Sequence, residues 1–542
     1  MKNIFKTFPF ALALGFCLVS CDDDTVDEQH FNRLFTPTSF SEVSALTDGV
    51  RLEWAEVKGA TSYTVEVAPD SSFSEIRYKK ENIEQNYCEF LGLGLRQHLV
   101  ARVCANSTEV ASSKYLISPS FTTRPYVSLQ EVLPKEVTLS KATLHWTNDY
   151  PFTHLCYYKQ SESKSEGQKI ALSAEQIATQ EYQLTGLAEN TEYIAYMLNE
   201  NAQDEGREHN TVKFKTKLGA NAGDIVMASC DTISKFLDQL DLAEDKPIVI
   251  YIQAGATINN ISSEGSALNL VLKRNITFRG APEGDQPVFN MKEIQIEGEF
   301  DSVRFENLHL TSANSGTYMI NLKSAYKHVG KIVMSNCEIS QYKNSILRHQ
   351  GTAGTTIGKI EITDCLIHDM NSTGSNSYAL LHFANKKYFC DSFVFTNSTF
   401  YNCGSNIIEM RNDGTADTKS FDALINQCTF NNIGLNTRKM FDFQSMNAGK
   451  FMIKNTVFGK IGNSDKFFGF LGIGVTTEYS GNYMTSDFKF AVSTATTEAT
   501  RPVDLVFTST ECTADELFVN PSEGDFSYQA GKAVNAGDMR WR

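Results

Sequence analysis

A ladder in the C-terminal half constrains the chain most: an Asn or Asp, two further residues, then a large apolar residue, at a nearly fixed period. Its rungs are Asn307–Leu310, Asn336–Ile339, Asp364–Ile367, Asn397–Phe400 and Asn455–Phe458, with a Gln version, Gln427–Phe430, before the last. Successive starts lie 29, 28, 33, 30 and 28 residues apart. Each rung follows an alternating stretch, such as Val303/Phe305, Ile332/Met334, Ile360/Ile362, Phe393/Phe395, Ala423/Ile425 and Phe451/Ile453. A period of this length means stacked units, none of which can bury its apolar face alone. Alternation at every second residue makes those units strands rather than helices. Asn and Asp tolerate left-handed backbone and bond their own main chain, which suits a corner repeated coil upon coil. The pattern therefore predicts a parallel β-helix.

Composition sets outer bounds. A chain of 542 residues exceeds one ordinary core and implies several domains. Its net charge of −15, with 41% hydrophobic and 21% charged residues, is that of a folded protein. The sequence holds no run of clustered Lys and Arg, so nucleic acid is not an expected partner.

At the N-terminus, Lys2 and Lys6 precede an apolar stretch from Phe8 to Val19 that is too short to span a bilayer. It ends in Leu18-Val19-Ser20-Cys21, which resembles the lipobox of bacterial lipoproteins. The resemblance implies a signal peptide over 1–20, a lipid on Cys21 and an acidic tether over 21–36. An ordinary secretory signal is the alternative. Asp22-Asp23-Asp24 resembles the export signal of lipoproteins displayed on the outer membrane of some Gram-negative bacteria, whereas elsewhere an Asp after the Cys marks inner-membrane retention. The expectation is a lipid-anchored, surface-exposed outer-membrane protein that touches the membrane through its anchor only.

Residues 37–123 and 124–217 each read as an all-β module. The first carries Val50–Trp54, Tyr63–Val67 and Leu99–Val103; the second carries Thr143–Trp146, Leu155–Tyr158 and Tyr193–Met197. Short alternating strands separated by turn signals suggest sandwiches. The early Trp54 and Trp146, with Leu184-Thr185-Gly186-Leu187 followed by Thr191 and Tyr193, resemble fibronectin type III modules and their tyrosine corner. Module one has Leu99 where that Tyr belongs.

The β-helix is expected over 222–542, opening with an amphipathic helix around Thr232–Leu240. Such a helix would cover the exposed core and the unpaired edge of the first coil. Asn275–Pro282 resembles an early coil of the pectin-lyase superfold, and Phe518–Pro521, Gly524–Phe526 and Gly537–Trp541 resemble the closing segment of related domains. Together these features resemble surface lipoproteins of polysaccharide-utilisation systems. The implied fold is all-β: two fibronectin type III-like β-sandwiches, then a right-handed, single-stranded, pectin-lyase-like parallel β-helix with an N-terminal capping helix. The implied partners are a polysaccharide and outer-membrane glycan-uptake proteins.

Ten cysteines follow Cys21, with no Cys-x-x-Cys and no paired His spacing, so no metal site is expected. Cys337, Cys365 and Cys428 stand next to the ladder residue, where Ser398 and Thr456 stand in other coils. Small residues at one repeat position suggest an inward stack of reduced thiols; a Cys337–Cys365 disulfide, within reach across adjacent coils, is the alternative.

A second strand in each coil supplies the candidate site. Alternation turns Ile320, Leu347, Leu381, Ile408 and Phe441 inward and stacks Asn321, Arg348, His382, Glu409 and Asp442 outward. Lys323, Gln350, Arg411 and Gln444 form the next column. The column is expected to face solvent, with Arg348, His382, Glu409, Arg411 and Asp442 as candidate carbohydrate-binding residues. A solvated surface of attracting charges would look the same in sequence. A lyase would call for an Arg or Lys base and could use Ca2+; an inverting hydrolase needs carboxyls about 6.5–9.5 Å apart. The sequence lacks the polygalacturonase motifs, assigns no catalytic residue and turns His349 inward. His368-Asp369, in a corner, is a further candidate. The function expected is glycan binding for uptake or degradation, with a lyase or hydrolase on the same face, or a structural or adhesive surface protein, as alternatives.

Overall fold

The computed structural model describes residues 32–124, 127–147, 151–201, 208–240, 246–312, 315–323, 326–350, 356–371, 378–383, 389–404, 406–411, 420–434, 438–444, 446, 448–462, 467–471, 475–489 and 507–542. The signal peptide, Cys21 and most of the tether lie outside these residues.

From Ile225 to Ser509 the described strands build three parallel sheets, and Phe518–Asn520 and Asp525–Tyr528 pair as a separate antiparallel hairpin. Sheet A has ten strands, from Ile225–Met227 to Thr476–Ser480. Sheet B has ten, from Thr257–Asn259 to Thr508–Ser509, and sheet C has eight, from Asn269–Leu272 to Phe467–Leu471. Each of the eight central coils contributes one strand to each sheet, so neighbours in space are one repeat apart in sequence. In sheet A, Phe278 pairs with Phe305, Phe305 with Met334, Met334 with Ile362, and Ile362 with Phe395. In sheet B, Phe400 pairs with Phe430 and Phe430 with Phe458. Their rings stack at 4.8 and 5.1 Å between centroids. These residues belong to one apolar core running through the coils.

The ladder residues make the corner between sheets A and B. Asn307, Asn336, Asp364, Asn397, Gln427 and Asn455 all have positive φ, between 48° and 56°. Their side chains bond from coil to coil, Asn336 to Asn307 and Asn397 to Asp364. Close coil packing also explains Gly280, where a Cβ would meet the carbonyl oxygen of Asn307. A second left-handed ladder, Gln341, Asp369, Asn402 and Asn432, turns the chain at the far end of sheet B. Asn432 donates to Asn402 at 2.8 Å and Asn402 to Asp369 at 3.4 Å.

Beside the first ladder runs an inward column of small polar residues. The N–H of Cys337 donates to Cys365 Sγ at 3.5 Å, that of Cys365 to Ser398 Oγ at 3.0 Å, and that of Cys428 to Thr456 Oγ1 at 3.3 Å. Each thiol or hydroxyl thus satisfies an amide that the corner leaves outside the sheet ladder. All ten cysteines of the described residues are free. At the open N-terminal end lies the helix Ile233–Asp238, with Ile233 buried and Phe236, Leu237 and Leu240 packed on the core.

Upstream are two all-β sandwiches. The first pairs the sheet of Phe40–Leu46, Gly49–Trp54 and Tyr87–Leu91 with a sheet centred on Ser62–Ala68 and His98–Asn106, around the buried Trp54. The second encloses Trp146, Leu155 and Leu184. Tyr193 Oη there accepts the N–H of Ala188 at 2.9 Å, which is a tyrosine corner. The described residues fall into two compact units, one drawn from within Met1–Ser128 and Leu198–Asn210, the other from within Leu129–Met197 and Thr211–Arg542. Within the latter unit the second sandwich touches the solenoid, the N–H of Leu139 donating to Glu283 Oε1 at 3.0 Å.

Candidate functional site

Sheet C brings the sequence-predicted column together. Asn321 lies beside Arg348, Arg348 beside His382, His382 beside Glu409, and Glu409 beside Asp442. The intervening Ile320, Leu347, Leu381, Ile408 and Phe441 are buried in the core, so the alternation places the column on the sheet's other face.

That face is not the solvated surface the pattern suggests. Glu409 is 8% exposed, His382 9% and Asp442 0%. The reason is local closure over the carboxylates. Arg411 Nη2 lies 2.7 Å from Asp442 Oδ2 and 3.4 Å from Glu409 Oε1, and its Nε donates to Asp442 Oδ2 at 2.9 Å. Lys439 Nζ approaches Asp442 at 3.9 Å, the N–H of Gln444 donates to Asp442 Oδ1 at 3.2 Å, and Asn406 Nδ2 donates to Glu409 Oε2 at 3.4 Å. Burial works against the Arg411 charge, but Asp442 and Glu409 outweigh it and hold its pKa above the ordinary guanidinium value. Arg411 and Lys439 keep partly exposed side chains, so this end presents cations outward over carboxylates that hold them.

The other end is aromatic. The Arg348 guanidinium lies 4.9 Å from the ring centre of Tyr318 and 5.2 Å from that of Tyr378, and its Nη1 donates to Tyr318 Oη at 3.1 Å. His382 meets Tyr378 edge to face at 4.7 Å. One coil further, Glu293 accepts from Asn321 Nδ2 at 2.8 Å and pairs with Lys323 at 3.1 Å. Sequence reasoning missed Tyr318, Tyr378, Glu293 and Lys439. A signal existed for the two tyrosines: Tyr318 stands three residues before Asn321 and Tyr378 four before His382, at the entry to the same strands.

His349 is fully buried against Phe383, as its parity requires. His368-Asp369 belongs to a separate cluster on sheet B. His368 Nδ1 lies 2.8 Å from Asp369 Oδ2, and its Nε2 lies 3.1 Å from Glu338 Oε1, which His309 Nε2 also approaches at 3.3 Å. Burial disfavours the His368 charge, but the bonds to Asp369 and Glu338 prevail and push its pKa up to about 9. A histidine so held stays an imidazolium at neutral pH and is a poor general base. Among the described residues, no group of three or more His, Cys, Asp or Glu is placed to hold a metal ion.

Chemically, the sheet C face offers planar donors, cation–π surface and fixed charge. Glu409 and Asp442 share one guanidinium, an arrangement suited to recognition.

Residues 263–403 match a family model described as a domain of unknown function, DUF4957. No curated protein matches the chain. Among solved structures, the FN1–FN3 domains of chicken CNTN1 are similar at 15% identity and a TM-score of 0.15, over 34% of this chain and 64% of that one. A two-domain fibronectin type III segment of chicken tenascin is similar at 15% identity and a TM-score of 0.21, over 34% of this chain and 99% of that one. The chain thus spans less than two thirds of the CNTN1 fragment.

Proposed function

We propose that the protein is a lipid-anchored surface protein that binds a polysaccharide, acidic in character, across sheet C of the β-helix. Sandwiches joined to a β-solenoid suit a surface or adhesive protein. The observation that carries the finer reading is the unbroken column from Asn321 to Asp442, flanked by Tyr318 and Tyr378 at one end and by Arg411 and Lys439 at the other. Strands spaced about 4.8 Å apart place these groups along a line crossing the coils, as a sugar chain would lie. Aromatic faces pack on pyranose C–H surfaces, while Arg and Lys meet carboxylates. The wider reading is a surface lipoprotein that gathers glycan for partner proteins. Incubation of the purified protein with acidic polysaccharides tests binding against turnover. Binding without new unsaturated ends or reducing sugar is expected; steady release of either would favour a lyase or hydrolase on this face.

A further inference from the structure

A cleft of ≈ 380 Å³ lies between the second sandwich and the corner joining sheets A and B. The sandwich lines it with Phe214, Lys217 and Leu218, and the solenoid with Pro282, Glu306 and Asn336. Its volume falls in the range of small-molecule sites, and such sites favour domain junctions. Lys217 is the anomaly. It is half-buried, its ammonium makes no hydrogen bond or ion pair among the described residues, and burial holds its pKa below the usual lysine value despite the nearby charge of Glu283. Glu283 already accepts the N–H of Leu139. Of the other cations lining the cleft, Lys215 is exposed to solvent, and Arg279 is committed to Glu306 at 2.7 Å and Asp224 at 3.5 Å.

A desolvated ammonium without a partner inside an amphipathic cleft is an anion site in waiting. The rest of the lining narrows the anion. Glu306 is neutralised by Arg279 and Arg304, so Lys217 is the one half-buried ammonium of the lining without a partner among the described residues; one carboxylate matches it, whereas a dianion would keep a charge unpaired beside Asp364. The apolar wall of Phe214, Leu218 and Pro282 calls for a ligand with a C–H or ring face. We propose that the cleft is a second ligand site that takes a small monocarboxylated ring of the uronic-acid class, its carboxylate on Lys217 and its ring against Phe214 and Leu218. None of these residues belongs to sheet C, so either site can fail without the other.

The test is calorimetric titration of the whole chain, in an amine buffer free of phosphate and sulfate, with D-galacturonate, galactose and sulfate as probes. Galacturonate is expected to bind at least tenfold tighter than galactose, and sulfate not to displace it. Lys217→Met keeps the side-chain stem and should weaken galacturonate at least tenfold with an unchanged melting temperature. Leu218→Trp, which keeps the charge and fills the cleft, should weaken it comparably and guards against misreading a folding defect. Equal affinity for galacturonate and galactose, displacement by sulfate, or parent-like binding by both folded variants would overturn the assignment.

Discussion

Single side chains decide more here than alternation alone suggests. Phe430 is 1% exposed and stacked between Phe400 and Phe458, so Phe430→Ala should cost about 3–5 kcal/mol in urea denaturation. By strand parity alone Glu409 and Asp442 would be cheap to replace. Their enclosure reverses that for Asp442, because Asp442→Ala leaves the part-buried Arg411 guanidinium with Glu409 alone, beside Lys439. A loss of about 1.5–3 kcal/mol, that of a hydrogen bond to a charged group, is expected. A loss below about 1 kcal/mol, the level of an exposed pair, would refute the enclosed arrangement. The histidine cluster predicts a pH dependence. His368 has its pKa raised from 6.5 to about 9, so its stabilisation is fully present below pH 6.5 and lost as pH rises through 9. The bond to His368 holds Glu338 and Asp369 below the usual carboxylate range, so their share is lost in acid instead. Burial holds the pKa of neighbouring His309 down, which opposes folding as acid protonates the unfolded chain. The stability gap between parent and His368→Gln should therefore be widest near about pH 6 and shrink steadily towards pH 10. A gap independent of pH would show that His368 is not held as an imidazolium.

At the scale of the element, one coil is built from two left-handed corners and a polar column that feeds the next coil's amides. Cys365→Ser should be nearly silent, because Ser398 already fills the same place one coil on. Cys365→Val should cost about 1–3 kcal/mol by leaving the Cys337 N–H buried and unpaired. Equal effects of the two changes in denaturant titrations would mean that volume, not hydrogen bonding, governs the column. The first ladder and the inward phenylalanines were legible because each repeats a physical constraint at a fixed spacing. The second ladder, Gln341, Asp369, Asn402 and Asn432, was equally legible but went unread: each member stands five residues after one of the first ladder, at the same spacing. The stacking of Arg348, His382, Glu409 and Asp442 could be read from parity alone. Their burial could not, because it depends on side chains such as Arg411 and Lys439 reaching across strands, which no alternation rule encodes. The tyrosines escaped notice for a similar reason: they precede the alternating segment and join the site only through the turn of the coil.

At the scale of the whole molecule, the solenoid is closed at one end by its helix and covered along sheet B by its own C-terminus. Phe518, Phe526 and Ala536 form a satellite core with Tyr401 and Val457, while Thr399 donates to Asp538 at 2.7 Å and accepts from Trp541 Nε1 at 2.7 Å. No described helix is long and apolar enough to cross a membrane. The anchoring proposal rests on the lipobox-like Leu18–Cys21. Cys21→Ala should move the protein from the membrane fraction to the soluble one after an alkaline carbonate wash, and persistence in the membrane would contradict the anchor. The central claim, glycan recognition by sheet C, is tested most directly by titrating an acidic oligosaccharide, such as a polygalacturonate fragment, into the parent and into the Arg348→Ala/Tyr378→Ala variant. These two side chains are half-buried at the open end of the column, and neither is part of the Arg411–Asp442 pair. The account predicts a folded variant whose affinity falls at least tenfold, about 1.4 kcal/mol or more. A folded variant that binds the oligosaccharide as tightly as the parent would contradict it.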